Sequence, residues 1–84
     1  MEAIEAKIRK ILHEQCGVPA NAIRPNAHLN LDLGLDSLDV AELMLSLEKE
    51  LRISIPDSDW QALDTMHSLT GYVQHKVNDA LAYA

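Results

Sequence analysis

Aromatic residues, cysteine, glycine and proline are all scarce in this sequence of 84 residues. There is no phenylalanine, so the core must be built from leucine, isoleucine, valine, alanine and methionine. The single cysteine, Cys16, excludes an intramolecular disulfide, and its apolar-periodic surroundings predict a buried small side chain. Three glycines and three prolines beside 48% hydrophobic residues exclude a disordered chain. The length predicts one domain over residues 1–84.

Basic residues are also few. The sequence has seven lysines and arginines and 13 acidic residues, which gives a net charge of −6. This balance disfavours nucleic acid, which needs clustered basic side chains, and favours partners with basic surfaces. No apolar run is long enough for a membrane span, and Glu2 and Glu5 interrupt any apolar signal segment. We therefore expect a monomer in the cytoplasm, and the start at Met1 predicts a free-standing protein.

The spacing of apolar residues predicts an all-α fold: a small four-helix bundle of three longer helices and one short helix, with a long loop between helices 1 and 2. The first segment, AIEAKIRKILHEQCG, has isoleucine and leucine at helical spacing, and Gly17 is placed to end it. A second helix is predicted from about Ser37 to Leu51. A short third helix is expected around Trp60 and Leu63, and Thr65 is placed to cap a fourth.

The second predicted helix has two apolar stripes, whereas an amphipathic helix with a single role needs one. A helical wheel of about 100° per residue places them on different sides of the helix. The second stripe, the outer stripe, is flanked by acidic residues. One interpretation is that the long loop covers this stripe, and the other is that the stripe is a partner-docking face whose acidic rim selects basic surfaces. Both can hold if the loop covers only part of the stripe. The core stripe consists of Val40, Leu43, Met44, Leu47 and Leu51, and the outer stripe consists of Leu38, Ala41 and Leu45, flanked by Glu42 and Glu48.

Ser37 stands at the start of this helix, and the residue pattern leaves two interpretations open. One is that Ser37 is the N-cap, because serine is among the best N-cap residues. The other is that Ser37 carries a phosphate ester, because free N–H groups and the helix dipole favour an anion at this position. Gly34 allows a tight turn ahead of the serine.

Other chemistries find no support in the spacing of residues. The four histidines lack close ligand spacing and Cys16 has no second thiol, so no metal site is predicted. The acid-rich segment before Ser37 fails the register of a calcium loop, because Gly34 at the sixth position would make Leu29 the first ligand. Ser37 lacks the second glycine of a nucleophile elbow. We therefore predict no catalytic residue and do not expect an enzyme.

The residues around Ser37 resemble the signature of the acyl carrier proteins. That family opens its second helix with an Asp-Leu-Gly-x-Asp-Ser-Leu element, and residues 32–38 read DLGLDSL. The similarity continues through DVAELMLSLEKEL, which is similar to the family's recognition helix, and through ISIPD and TMHSLTGYV. Before the serine, IRKILHEQCGV resembles the family's first helix. The resemblance covers nearly the whole chain, and the family's four-helix bundle agrees with the predicted helices.

The resemblance implies that a separate phosphopantetheinyl transferase attaches 4′-phosphopantetheine from coenzyme A to Ser37. The thiol of this arm then holds an acyl group, which the chain carries between acyl-loading and acyl-transferring enzymes that have basic docking patches. Asp36 matches the acid that helps present the serine to the transferase and its metal. The implied partner-binding residues are Asp36, Leu38, Asp39, Ala41, Glu42, Leu45, Glu48 and Ile55, with Ile55 near the mouth of the acyl pocket.

Several positions depart from the family's usual pattern. Lys49 interrupts an acidic run, Ala41 is smaller than the usual branched residue, and Trp60 is unusual in the third helix. These departures count against service to the general fatty-acid synthase and leave room for a dedicated acyl or polyketide-type pathway, with fatty-acid synthesis still open. Leu35 and Asp36 count against a peptidyl or aminoacyl carrier, which commonly has a second glycine at this element. An unmodified helical adaptor, in which the serine only caps, is the alternative from another class.

Overall fold

Three α-helices and two 3₁₀ helices follow one another in the computed structural model, which describes residues 2–82. The prediction of an all-α bundle is confirmed, and the second helix has the predicted bounds. Between residues 2 and 82 the one β-type pairing is an isolated bridge between His28 and Thr65. The elements are α1 (Glu2–Cys16), the first 3₁₀ helix (Ala20–Ala22), α2 (Ser37–Leu51), the second 3₁₀ helix (Asp57–Ala62) and α3 (Met66–Ala82).

The short third helix of the prediction is the second 3₁₀ helix, and it ends one residue earlier than expected. Leu63 is its C-cap, and the backbone N–H of Leu63 donates to the carbonyl oxygen of Trp60 at 3.0 Å. Pro56 precedes the helix with φ −57°, which is the angle that the proline ring favours. The tighter 3₁₀ winding suits such a short connection between two packed helices.

One aliphatic core joins the three α-helices to the long loop between α1 and α2. Each fully buried leucine or isoleucine contributes about 2 kcal/mol of hydrophobic stabilisation. The loop is held in place because it contributes four residues to this core, and Val40 and Leu51 lie half-buried at the edge of the core. The core comprises Ile4, Ile8, Ile11 and Leu12 from α1, Leu43, Met44 and Leu47 from α2, Met66, Leu69 and Val73 from α3, Val18, Ile23, Leu29 and Leu35 from the loop, and Ile55 and Leu63.

Hydrogen bonds attach the long loop to the start of α3. The backbone N–H of Met66 donates to the carbonyl oxygen of Ala27 at 3.0 Å, and the N–H of His67 donates to that of Pro25 at 2.8 Å. The first N–H groups of a helix have no partner inside the helix. The loop therefore satisfies two of these groups, and its position is fixed relative to α3.

Candidate functional site

Ser37 is the first residue of α2 and is not its N-cap. The N-cap is Asp36, whose Oδ1 accepts the backbone N–H of Asp39 at 2.8 Å. Oδ2 of Asp39 accepts the N–H of Asp36 at 3.2 Å, which completes a capping box. The interpretation of Ser37 as the N-cap is therefore wrong. Two aspartates three residues apart, at the start of an apolar-periodic segment, are the sequence signal for this cap.

The capping box leaves the hydroxyl of Ser37 free. Its side chain is exposed, and Oγ has no hydrogen-bond partner among residues 2–82. The backbone N–H groups of Ser37 and Leu38 also have no acceptor in that part of the chain. These N–H groups and the helix dipole favour a phosphate ester at Ser37, whereas the carboxylates of Asp36 and Asp39 oppose it. The N–H groups adjoin the free oxygen, so the residues fit a phosphate-linked group.

The chain reaches Ser37 through a hydrogen-bonded turn over residues 28–35. The backbone N–H of Leu35 donates to the carbonyl oxygen of Leu29 at 3.0 Å, and both side chains are buried. The side-chain amide of Asn30 donates to the carbonyl oxygen of Leu35 at 2.7 Å. Gly34 has φ +72°, in the left-handed region that other residues enter only with strain. The turn therefore fixes the direction from which the chain enters α2.

A cavity of about 260 Å³ adjoins Ser37. It is lined by Asn30, Val40, Trp60 and Gln61 as well as by the serine. The indole N–H of Trp60 donates to the carbonyl oxygen of Ile55 at 3.0 Å, which fixes the ring. The lining therefore combines apolar surface with two amides. The sequence contains no signal for Asn30 or Gln61, because the fold brings them together from separate segments.

The outer stripe is open to solvent. Leu38 is 65% exposed and Leu45 is 60% exposed, and Ala41 between them is half-buried. Glu42 is exposed beside them. The interpretation that the long loop covers this stripe is therefore wrong. Leu31, in the turn before Ser37, is 83% exposed and is an apolar surface residue that the sequence reasoning missed.

Ile55 and Glu48, two of the expected partner-binding residues, make contacts within the fold itself. Ile55 is 2% exposed and lies in the core rather than on the surface with the outer stripe. Its backbone N–H donates to Oε2 of Glu48 at 2.9 Å. The carbonyl oxygen of Glu48 also accepts the N–H of Arg52, which is the C-cap of α2 in the left-handed conformation. Glu48 therefore closes α2, and its carboxylate holds the segment that follows.

The acidic side chains at the start of α2 affect the end of α1. Burial raises the pKa of the Cys16 thiol, and the nearby carboxylates of Asp39 and Glu42 raise it further. All three effects favour the neutral thiol. Cys16 is half-buried, so the prediction of a buried small side chain holds in part.

Charge is distributed unevenly along the chain. Residues 6–24 contain four basic residues and one acidic residue, a net charge of +3, whereas all other residues contain three basic and 12 acidic ones, a net charge of −9. Arg9 and Lys10 from this basic segment line a largely apolar cavity of about 300 Å³ together with Ala6 and Ile23. Arg9 also pairs with Oε1 of Glu5 at 3.0 Å, and α1 as a whole has three basic and three acidic residues, so this helix carries no net charge.

Residues 2–82 provide neither a metal-binding cluster nor a membrane-spanning helix. No cluster of three or more histidine, cysteine or acidic side chains in this range is placed to hold a metal ion. No helix in this range is both long enough and apolar enough to cross a membrane.

A protein-family model described as the phosphopantetheine attachment site matches residues 6–73. The match begins in α1 and ends within α3, so it covers well over half of the chain. It includes the turn, the capping box and Ser37.

Proposed function

We propose that this chain, which belongs to the phosphopantetheine attachment site family, is an acyl carrier protein that bears its prosthetic group on Ser37. Members of this family carry 4′-phosphopantetheine, so the carrier role and the identity of the group follow from membership. When attached, the group supplies a flexible arm with a terminal thiol on which an acyl group is carried as a thioester. The proposal goes beyond family membership in two points: Ser37 is the attachment point, and the group carried is an acyl group.

The observation that carries the proposal is the free hydroxyl at the first position of the 15-residue helix α2. The other serines within α-helices have hydrogen-bonded hydroxyls. Oγ of Ser46 donates to Oε1 of Gln15 at 2.8 Å, and Oγ of Ser68 donates to the carbonyl oxygen of Thr65 at 3.0 Å. Ser37 differs because carboxylates form the cap in its place. Its oxygen is therefore available to a transferase.

The outer stripe is the proposed docking face for the transferase and for the enzymes that load and remove the acyl group. Leu38 follows Ser37 directly, and Leu45 lies about 10 Å further along the helix axis at 1.5 Å per residue. Both leucines are exposed, and Glu42 adds negative charge between them. A matching partner surface is apolar with a basic rim. Docking there holds the arm close to the partner's active site and so raises the local concentration of the acyl group.

Intact-protein mass spectrometry tests the attachment point. The chain is incubated with coenzyme A, magnesium and a broad-specificity phosphopantetheinyl transferase. We expect the mass to rise by one phosphopantetheinyl group in the wild type and in Ser54→Ala, which removes another exposed serine. The mass of Ser37→Ala should not change. Modification of Ser37→Ala, or none of the wild type beside a working control carrier, would make the attachment proposal wrong.

The nature of the cargo is tested on the modified chain. Acyl-transferring enzymes and amino-acid-activating enzymes are supplied separately, and the mass of the loaded species identifies the group. We expect acyl groups to be loaded. Loading of amino acids alone would show a peptidyl or aminoacyl carrier, and the acyl assignment would be lost while Ser37 remained the attachment point.

A further inference from the structure

His28 caps the turn over residues 28–35 with its imidazole ring. Nδ1 of His28 accepts the backbone N–H of Asn30 at 3.2 Å and that of Leu31 at 3.1 Å. The backbone N–H of His28 donates to Oδ2 of Asp32 at 2.7 Å. This reciprocal arrangement resembles a capping box, but Asp32 stands four residues after His28 rather than three and the segment is a turn; in a capping box, serine or threonine ordinarily provides the accepting side chain. Here the accepting group is a ring that titrates.

The hydrogen bonds assign the protonation state of the ring. An imidazole nitrogen that accepts two N–H groups carries no proton, so His28 is neutral with its proton on Nε2. Nε2 lies 3.9 Å from Oδ2 of Asp64, in the segment before α3. Protonation would place a hydrogen on Nδ1 and remove the acceptor that both N–H groups use. The turn has no other group in the bonding pattern to replace it.

Two carboxylates lie close to His28. Asp32 belongs to the turn itself and Asp64 to the segment packed against it, and both carboxylates attract an imidazolium ring. Arg24 is the basic residue nearest along the chain and lines one cavity together with Asp32. The neutral ring is bonded to the turn and the charged ring is drawn to the carboxylates. The protonation state of His28 therefore determines which of these two arrangements forms.

We propose that His28 is a pH-sensitive cap that orders the turn before Ser37 when neutral and releases it when protonated. Histidine is the side chain that ordinarily changes charge between about pH 5 and pH 8, so a pH series over that range tests the cap. The turn leads directly to the attachment site, because Asn30 bonds to the carbonyl oxygen of Leu35 at 2.7 Å and Leu35 precedes the N-cap Asp36. The backbone hydrogen bonds of the turn and the buried side chains of Leu29 and Leu35 do not depend on the ring, so protonation frees only the N–H groups of Asn30 and Leu31 and loosens the entry into α2 through Asn30.

The response of the turn is tested by ¹⁵N NMR of the full chain between pH 8 and pH 5. We expect the amide resonances of Asn30 and Leu31 to shift with the same midpoint as the His28 ring. This shift should be absent in His28→Asn, because asparagine caps well and does not titrate in this range. His75→Asn, which removes an exposed histidine on α3, should keep it. Amides that stay in place while the ring titrates, or that shift equally in His28→Asn, would overturn the proposal.

The consequence for Ser37 rests on the proposed function and is measured separately. The ratio of the initial modification rates of wild type and His28→Asn, taken at each pH, cancels the pH dependence of the transferase. We expect this ratio to fall about fivefold from pH 8 to pH 5.5, the factor that corresponds to the loss of one N-cap. A rate ratio that does not change with pH would show that the His28 cap does not affect the modification of Ser37. Absence of modification at every pH would instead contradict the proposed function, whatever the NMR result.

Discussion

α2 and α3 both begin with a capping box, but the two boxes use different groups. At α3, the N–H of Ser68 donates to Oγ1 of Thr65 at 3.1 Å, and the N–H of Thr65 donates to Oγ of Ser68 at 3.1 Å. Both hydroxyls are therefore engaged in the cap. At α2 the carboxylates of Asp36 and Asp39 form the box, and the hydroxyl of Ser37 stays free. A serine at a helix start is available for chemistry only when another residue caps the helix.

The two helices also differ in how their surfaces are used. The first N–H groups of α3, those of Met66 and His67, are satisfied by carbonyl groups of the long loop. Those of α2 at Ser37 and Leu38 are left without acceptors among residues 2–82. α2 exposes leucines at Leu38 and Leu45, whereas α3 is fixed to the rest of the fold from its first turn. α3 is therefore fixed within the fold, whereas the first residues and the outer stripe of α2 are accessible to other molecules.

The largest expected effect concerns the exposed face of α2. Leu45→Ser should lower kcat/KM of the transferase about tenfold, because an apolar contact at the centre of an interface contributes roughly 1–2 kcal/mol. Leu81→Ser is the matched control, since Leu81 is 69% exposed but lies on α3. Modification rates are measured by mass spectrometry at limiting carrier concentration. Equal losses in both variants would contradict a docking role specific to the outer stripe.

A smaller effect is expected on the free energy of unfolding, which should respond differently to substitutions at the starts of α2 and α3. Thr65→Ala should lower the free energy of unfolding by about 1 kcal/mol, because it removes the cap of α3. Ser37→Ala should change it by less than about 0.5 kcal/mol, because the hydroxyl of Ser37 caps nothing. Both values come from urea unfolding followed by circular dichroism. A cost for Ser37→Ala equal to that of Thr65→Ala would restore the serine as a cap.

The smallest effect concerns Cys16, whose thiol pKa is raised first by burial and then by Asp39 and Glu42. Negative charge opposes the thiolate, which is the reactive form, so Glu42→Gln should lower this pKa. Alkylation by iodoacetamide at pH 8 should then be about twofold faster. Glu14→Gln, on the exposed side of α1, should leave the rate unchanged. The difference should disappear at high pH, where the thiol is ionised in all variants.

The helices and the core were predictable from sequence because both depend on the spacing of apolar residues. Ile8, Leu12 and Leu47 are fully buried, as their helical periodicity indicates. The cap was not identified, since Asp36 and Ser37 are adjacent and both are good N-cap residues. The choice depends on where helical dihedral angles begin, and in the structure they begin at Ser37.

Other parts of the site depend on long-range packing, which periodicity does not report. Ile55 alternates with polar residues, yet it is buried because the segment after α2 folds back onto the core. The sequence does not show whether the loop between α1 and α2 covers Leu38 and Leu45. In the structure this loop packs against the start of α3, and both leucines are exposed. The role of His28 also arises from the fold, because two backbone N–H groups converge on its ring.

Residues 32–64 contain nine acidic and two basic residues, a net charge of −7, whereas all other residues contain four acidic and five basic ones, a net charge of +1. The excess negative charge therefore belongs to the part of the chain that includes α2. A partner with the basic surface proposed above would attract this part from about one Debye length away and would turn it forward before contact. The range of orientations sampled in each encounter would then be smaller, and added salt would lower the association rate before it weakened the complex itself.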